Sequence, residues 1–260
     1  MIHMVFFLVC FLASAAGAIC GMGGGVVIKP VLDAFGILDV DSISFLSGCT
    51  VLSMTAYSVW KGRQEKRKEE NQEVRIPIAV GAAAGGLAGR WMFSFLSSLS
   101  PDKNRIGSVQ AACLLAVTAG TLIYTLYKNQ IHTRNVKAPA GCVLIGTALG
   151  ILSSFLGIGG GPINLIVLFF FYSMSTKEAA QCSLYIIFFS QSASILSSLV
   201  TGNIPEFPVT LLMVMTGGGI LGGIWGRALN RRMAEQAVDR LFIGLMAMIM
   251  LINVYNIYQY

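Results

Sequence analysis

The chain alternates between long apolar segments and short polar connections. Long segments such as 104–127 and 207–229 exceed the roughly 20 residues that a helix needs to cross the hydrocarbon layer of a membrane. The pattern therefore predicts an all-α polytopic membrane protein. The apolar segments lie near residues 4–20, 24–37, 43–60, 75–99, 104–127, 139–156, 160–172, 178–200, 207–229 and 238–258.

Composition agrees with a membrane protein. Hydrophobic residues make up 55% of the chain and charged residues 12%, whereas charged residues are about 25% of a typical soluble domain. The six cysteines show neither a CxxC pair nor metal-ligand spacing, and only two histidines are present. We therefore expect no metal, no cofactor and free thiols. The net charge of +6 resides mainly in the short connections, which indicates membrane orientation and not nucleic-acid binding.

Two glycine-rich motifs recur in the same order. Residues 21–25 read GMGGG, the first glycine cluster, and residues 157–161 read GIGGG, the second glycine cluster, 136 positions later. Downstream of them, GGLAGR at 85–90 matches GGIWGR at 222–227. Landmarks that repeat in order indicate an internal duplication.

The duplication predicts two repeats, 1–130 and 131–260, of about five segments each. An odd number of segments places the two copies upside down relative to each other, as in transporters built from inverted repeats. When Lys29, Arg90 and Arg227 are set aside because they lie within segments, the inverted arrangement puts thirteen Lys and Arg on one side and two, Lys103 and Arg105, on the other. The positive-inside rule then assigns loop 61–75 to the cytoplasm and both termini to the outside.

The second segment of each repeat is short. Segments 24–37 and 160–172 would each span roughly 20 Å as a helix, too little for a complete crossing. We expect broken or re-entrant helices there. Eight full spans with two re-entrant elements, or ten unequal spans, are both compatible with the sequence. The first segment, 4–20, leads directly into a repeated motif, so we expect it to remain as a permanent segment and not to be a cleaved signal.

The glycine clusters are candidates for a binding site. Glycine costs roughly 1 kcal/mol against alanine inside a helix, so three in a row suggest a break. In lipid, a broken helix needs a neighbouring cavity, and the start of the next half-helix offers N–H groups suited to an anion. Close helix packing is the alternative, which we favour for GGLAG and GGIWG. The cluster residues predicted to bind substrate are Gly21, Gly23, Gly24, Gly25, Gly157, Gly159, Gly160 and Gly161.

Together with Pro30 and the duplicated apolar halves, the two GxGGG clusters resemble the sulfite exporter TauE/SafE family of anion permeases. The resemblance covers nearly the whole chain. It implies a membrane carrier for sulfite, organosulfonates or related small sulfur-containing anions, with both clusters facing a central site. The second copy departs from the family pattern, because Ile166 stands where the proline is expected and Pro162 follows the glycines directly.

Polar residues near the clusters add candidates. Lys29 lies deep in an apolar segment, where a charge is expensive and functional by default, although it could snorkel from a short segment to the interface. The resemblance implies an apolar residue at this position, so we assign Lys29 to substrate preference. Asn164 can donate to an oxyanion without carrying charge. The hydroxyl and amide candidates along the path are Ser47, Thr50 and Gln191.

Two arginines, Arg90 and Arg227, occupy equivalent positions after the repeated glycines. We expect Arg227 to reach the cytoplasmic interface and Arg90 to lie deeper, where it could attract anions at the outer mouth, although a structural role is favoured for both. Asp33 is the nearest case of a carboxylate inside a segment, so a proton relay through a buried acid has little support.

The sequence thus predicts an exporter that works by alternating access in the cell membrane, with a small anion and the lipid bilayer as partners. A non-catalytic membrane scaffold and a transporter of a different solute are the alternatives. An intramembrane enzyme is disfavoured, because no nucleophile with a base and no paired metal ligands are visible. Oligomeric state and coupling ion are not specified by these patterns.

Overall fold

The computed structural model describes residues 2–64, 72–99, 103–134, 136 and 138–259. These residues form ten α-helices and a 3₁₀ turn at Lys128–Gln130, with no strand among them. Residues 65–71 of the predicted cytoplasmic loop and both terminal residues lie outside the described part. The helices are α1 Ile2–Cys20, α2 Gly25–Phe35, α3 Val40–Gln64, α4 Gln72–Leu99, α5 Lys103–Tyr127, α6 Pro139–Leu156, α7 Gly161–Tyr172, α8 Thr176–Val200, α9 Val209–Arg232 and α10 Glu235–Gln259.

The helices fall into two length classes, long and short. This division decides between the two numbers of membrane spans that the sequence left open. In the described residues, eight helices are long and apolar enough to cross a membrane. The other two, α2 and α7, have only 11 and 12 residues, about 17 Å of helix. The arrangement is therefore eight long helices plus one short helix per half. All-α architecture and the positions of the ten segments are confirmed.

Helices of the two halves pack against each other in a reciprocal way. The first helix of each half packs along the fourth helix of the other, so that α1 lies against α9 and α6 against α4. The third helices follow the same rule, with α3 against α9 and α8 against α4. The two halves therefore do not fold as separate bundles, and each supplies one wall of a shared interior.

Small residues set these close contacts. A Cβ placed on Gly85 of α4 would collide with the carbonyl oxygen of Thr147 on α6, and a Cβ on Gly222 of α9 would collide with that of Phe11 on α1. The same collisions recur one turn away in each pair. Backbone-to-backbone packing of this kind is typical of helices in lipid. It confirms the packing role predicted for GGLAG and GGIWG.

The short helices lie inside the long ones. Every residue from 21 to 30 is buried, and α2 packs against α1, α3 and α10. In contrast, large apolar side chains such as Leu12, Leu144 and Trp225 are exposed on α1, α6 and α9. An apolar outer surface around a helical interior is what a bilayer requires. The first glycine cluster and the N-terminal half of α2 are thus removed from lipid, where irregular backbone can be tolerated, while Phe35 at the end of α2 is exposed.

Candidate functional site

Both glycine clusters interrupt the helical backbone, as predicted. Helix α1 ends at Cys20 and α2 begins at Gly25, while α6 ends at Leu156 and α7 begins at Gly161. Gly157 has a φ of 65° and closes α6 through a hydrogen bond from its N–H to the Ser154 carbonyl. A left-handed residue at this position satisfies a carbonyl that the helix end would otherwise leave free.

The two breaks differ in detail, because Pro162 follows the second cluster. Gly161 has a φ of 51° and Gly160 a φ of 102°, whereas Gly24 has a φ of −67°. A residue before proline is disfavoured in the right-handed helical region, and only glycine adopts these positive angles without strain. The departure of the second copy from the family pattern therefore changes the backbone path.

The two clusters meet in the centre of the molecule. A Cβ on Gly25 would lie 2.5 Å from the carbonyl oxygen of Ile158, so the chains touch backbone to backbone. Gly23 and Gly159 both face the same two side chains, Val51 of α3 and Ile187 of α8. The convergence of the clusters is thus observed, and their immediate neighbours at this point are apolar.

A polar cavity adjoins this centre. It is narrow, about 10 Å³, which is roughly the room that one water needs. Of the residues predicted to bind substrate, Gly157 and Gln191 line it, and it is walled by helices α3, α4, α5, α6 and α8. The lining residues are Ser44, Phe45, Gly48, Arg90, Phe93, Gln110, Ser154, Phe155, Gly157, Gln191, Ser194, Ile195 and Ser198.

Lys29 lies behind the wall of this cavity. Its side chain is 3% exposed, so it does not snorkel to an interface, and that alternative is wrong. The ammonium donates to Ser44 Oγ at 2.7 Å and to Gln110 Oε1. Gln110 in turn donates from Nε2 to the Phe155 carbonyl at 2.7 Å. Both hydrogen-bond acceptors of the ammonium are neutral, although the carboxylates of Asp33 and Asp41 lie near enough to attract it electrostatically. Two neutral acceptors compensate a buried cation less well than a carboxylate hydrogen-bonded to it would.

Asn164 is the most isolated of the predicted residues. It is fully buried, and neither its Nδ2 nor its Oδ1 has a hydrogen-bond partner among the described residues. The amide lies against Gly160 in the second cluster, since a Cβ there would come within 2.5 Å of Nδ2. An unsatisfied buried amide costs about 1–3 kcal/mol, and such groups in native proteins are commonly explained by a water, an ion or a functional role.

The remaining candidates, Ser47, Thr50 and Gln191, differ in whether their side chains have hydrogen-bond partners. Thr50 donates to the Leu46 carbonyl of its own helix at 2.8 Å, and it does not line the cavity. Ser47 is fully buried and its hydroxyl has no partner in the described structure. Gln191 donates to Ser153 at 3.4 Å, and its Oε1 lies 3.0 Å from where a Cβ on Gly48 would be.

Arg90 connects the cavity to a larger cleft, which we call the Arg90 mouth. This cleft has a volume of about 220 Å³ and is lined by Arg90, Phe93 and six further residues. The guanidinium lies 5.4 Å from the centre of the Phe93 ring and donates to the Asn203 carbonyl at 3.4 Å. The six further residues are Asp41, Ser94, Ser97, Asn203, Ile204 and Pro205.

Arg227 lies in a separate and much smaller pocket, the Arg227 mouth, of about 20 Å³. Its Nη1 donates to the Ser58 carbonyl of α3 at 2.8 Å, so this arginine is turned onto a neighbouring helix. Asn230 in the same pocket donates to the Ile19 carbonyl of α1 at 2.5 Å. The other lining residues are Ala18, Ala180, Gln181, Leu184 and Arg231.

No metal site is apparent in the part of the chain that the structure describes, because no three His, Cys, Asp or Glu side chains come together there. The polar groups that line the polar cavity are instead hydroxyl, amide and guanidinium groups. These can donate hydrogen bonds to an oxyanion.

Comparison with known proteins places the chain in a family. The model of the family described as "Sulfite exporter TauE/SafE" matches residues 6–253. The chain belongs to this family. The resemblance inferred from the paired glycine clusters is therefore confirmed, and the protein is a multi-pass membrane transporter by family.

Similar proteins carry transporter names. The probable membrane transporter protein YunE of Bacillus subtilis is 22% identical over 245 residues, covering 87% of this chain and 88% of YunE. YdhB of the same organism, also a probable membrane transporter protein, is 26% identical over 71% of this chain and 74% of its own length. MamO of Magnetospirillum gryphiswaldense is 28% identical over 44% of this chain, but only 19% of MamO is covered. No solved structure matches.

Two residues beside Lys29 were missed by sequence reasoning. Ser44 and Gln110 are the partners of its ammonium, yet each resembles an ordinary polar residue in an apolar helix. A signal was available for Gln110, since an amide in the interior of segment 104–127 needs a partner in lipid. Ser44 precedes Ser47 and Gly48 by about one helical turn, which places the three near one face of α3.

Proposed function

We propose that this family member carries small sulfur-containing oxyanions, such as sulfite or organosulfonates, by alternating access around the polar cavity. The observation that carries the proposal is the buried ammonium of Lys29, held by two neutral oxygens of residues that line the cavity. The alternatives are a non-catalytic scaffold and a transporter of another solute.

The charges favour an anion. Arg90 lines the cavity and Lys29 lies directly behind it, whereas no carboxylate is among the described residues that line it. A buried ammonium whose hydrogen bonds go to neutral oxygens is costly even with the attraction of Asp33 and Asp41, and a bound oxyanion would offset that cost. A cation or metal would meet the opposite situation, with two positive groups and no acidic ligand among the described residues that line the cavity.

The hydrogen-bond donors favour an oxyanion over a halide. Hydroxyls from Ser44 and Ser154 and the amide of Gln191 lie around the cavity, and Asn164 offers an amide with no other partner in the described structure. Sulfite and sulfonate groups present three oxygens, each of which can accept from several directions. We assign Lys29, Ser44 and Gln110 to the oxyanion, and we propose that the N-terminus of α7 contributes amide hydrogens when the cavity opens.

The narrow cavity requires movement for binding. At about 10 Å³ it does not accept an oxyanion as it stands, so an anion that reached it from either mouth would have to displace the ammonium from its neutral acceptors. Lys29 would exchange these for a charged oxygen, and charge-assisted bonds are roughly twice as strong as neutral ones. Binding and opening of the cavity are thereby coupled.

The reciprocal packing of the halves supports alternating access. Because α1 packs on α9 as α6 packs on α4, the two halves can exchange roles, as in carriers with inverted repeats. We assign the Arg90 mouth to the outer side of the cell membrane and the Arg227 mouth to its cytoplasmic side. The assignment follows from the basic connections at 61–75 and 230–240.

Export follows from the energy of the anion. A monovalent anion gains about 2.3 kcal/mol per 100 mV on leaving a negative interior. We therefore propose net movement from the cytoplasm to the outside, driven by the membrane potential or by a proton carried on the substrate itself.

A flux measurement tests the function. The purified protein is reconstituted into proteoliposomes, and the vesicles are loaded with sulfite. Sulfite efflux is followed under an imposed membrane potential, with thiosulfate, sulfoacetate, sulfate and acetate as competitors. We expect saturable sulfite efflux that is faster when the interior is negative and is inhibited by sulfur oxyanions more than by acetate. No efflux of any sulfur oxyanion would contradict the substrate class, and no flux of any solute would favour the scaffold.

A further inference from the structure

We propose that Arg90 and Arg227 are paired gating residues, one at each mouth of the path. In the state described here, the bond from Arg227 to the Ser58 carbonyl holds the Arg227 mouth closed. In the opposite state, Arg90 makes the corresponding bond to the carbonyl of Ser194 and Arg227 is released. This inference rests on the alternating access proposed above, but not on the identity of the anion.

The equivalence of the two arginines rests on packing as well as on sequence. Each arginine follows a glycine stripe, on α4 or α9, that contacts the first helix of the other half. Gly85 faces Thr147 and Gly222 faces Phe11. Both pairs of residues stand at the repeat spacing. The helices that hold the arginines are therefore placed alike in the two halves.

The partner positions are equivalent too. Ser58 on α3 and Ser194 on α8 are 136 residues apart, the spacing of the glycine clusters. Arg227 donates to the Ser58 carbonyl and its Nη2 passes 3.7 Å from where a Cβ on Gly62 would be. Ser194 and Ser198, the counterparts of Ser58 and Gly62, line the cavity together with Arg90. Arg90 thus faces the surface of α8 that corresponds to the one Arg227 contacts on α3. In this state the Ser194 carbonyl accepts from the Ser198 hydroxyl at 3.1 Å, and Arg90 would replace that hydroxyl on closing.

The two mouths differ in openness in the way such a pair requires. The Arg227 mouth has about 20 Å³ and the Arg90 mouth about 220 Å³. Arg227 makes a 2.8 Å bond to the core helix α3. The hydrogen bond of Arg90 goes instead to the connection after α8, at 3.4 Å from the Asn203 carbonyl, and Asp41 lines the same mouth. The short bond coincides with the closed mouth and the long bond with the open one.

The second bond at the Arg227 mouth has no counterpart at the other. Asn230 donates to the Ile19 carbonyl, but the equivalent residue at the other mouth is Phe93, whose side chain has no hydrogen-bond donor. The Arg90 mouth therefore has one gating bond available where the Arg227 mouth has two. This asymmetry favours the state in which the Arg90 mouth is open.

Side-specific cysteine labelling tests the pair. The two most accessible native cysteines, Cys49 and Cys113, are replaced by alanine. Ser97→Cys then reports on the Arg90 mouth and Gln181→Cys on the Arg227 mouth. An impermeant maleimide is applied to vesicles of each orientation, and the two labelling rates give an accessibility ratio that needs no transported anion.

We expect opposite shifts. Arg227→Gln raises labelling of the Gln181→Cys reporter and lowers that of Ser97→Cys, changing the ratio by roughly tenfold, the effect of losing one charged hydrogen bond. Arg90→Gln shifts the ratio the other way. Arg232→Gln, at the exposed end of α9, is the matched control and leaves the ratio unchanged.

Any other result from folded variants overturns the proposal, including equal shifts in both variants or a shift in only one. Folding is checked by the thermal transition of each purified variant. If sulfite flux fails while the labelling shifts are opposite, the substrate is wrong and the gating pair stands. If flux succeeds without those shifts, the gating pair alone is rejected.

Discussion

The two halves of the chain place their helices alike but differ in the polar groups beside the glycine clusters. In the first half, Lys29 follows the cluster and bonds to Ser44. At the repeat spacing the second half has Leu165 and Ala180 instead, and its own polar group is Asn164. The positions that the halves share are the glycines that pack the helices together and the arginines at the two mouths. Positions where they differ place a single buried cation on one side of the centre.

This comparison separates scaffold from specificity. The shared glycines permit backbone contact between helices of different halves, a requirement that both copies must meet for the interior to form. The unshared Lys29 is not needed for packing, since a leucine is accommodated at the matching position. Substitutions at the shared glycines should therefore reduce the stability of the fold, whereas substitutions at the unshared polar residues should reduce anion binding.

The largest effect is expected for a shared glycine. Gly222→Leu would force a side chain into the backbone of Phe11 on α1, and overpacking of this kind costs about 3 kcal/mol or more where backbone cannot move. We expect loss of folded protein in detergent, measured as the folded fraction after purification and the thermal transition. Gly217→Leu, in the same helix with nothing near its Cβ position, is the control. Equal stability of the two variants would contradict the packing account.

The second-largest effect is expected from a substitution that tests the role of the Lys29 ammonium. Gln110→Glu would give Lys29 a carboxylate in place of its neutral amide acceptor. A carboxylate in direct contact with the ammonium would compete with the oxyanion, so we expect oxyanion binding and transport to fall by roughly a hundredfold without loss of the folded state. Gln110→Ala should weaken binding less, because it adds no competing charge. Undiminished binding in Gln110→Glu would separate Lys29 from the anion.

The smallest effect is expected for Asn164→Ile, which copies Ile28, the matching residue of the first half. Removing two buried atoms that have no partner in the described structure should raise the free energy of unfolding by about 1 kcal/mol. If the amide also contacts the oxyanion, the dissociation constant rises by about tenfold. Thermal unfolding with and without anion measures both. Lower stability together with unchanged anion affinity would show that Asn164 is purely structural.

Much of the fold could be predicted from the sequence, because lipid permits few arrangements. Helix α6 spans 139–156 as expected, and the clusters break the backbone where three consecutive glycines make a helix costly. The reciprocal pairing of α4 with α6 and of α1 with α9 was not predicted. A glycine stripe shows that a helix has a close neighbour but not which helix that neighbour is.

The candidate site was predicted less completely. Lys29 was identified from its cost in an apolar segment, but the length of α2 alone could not decide between burial and snorkelling. Its partners Ser44 and Gln110 come from segments 15 and 81 positions away. Only the packing of α2 against α3 and the placing of α5 bring them together. Thr50, chosen as a hydroxyl near the path, instead donates to its own helix, which polar residues in apolar helices commonly do.

The central claim is that the buried ammonium of Lys29 binds the transported oxyanion. The most direct measurement is the affinity of the purified protein for sulfite, obtained from anion-induced thermal stabilisation, in the wild type and in Lys29→Leu, which copies Leu165 of the second half. Leu165→Ile serves as the control for repacking. We predict that Lys29→Leu folds at least as stably without anion and raises the dissociation constant by about ten- to a hundredfold. An unchanged dissociation constant in a folded Lys29→Leu variant would contradict the account.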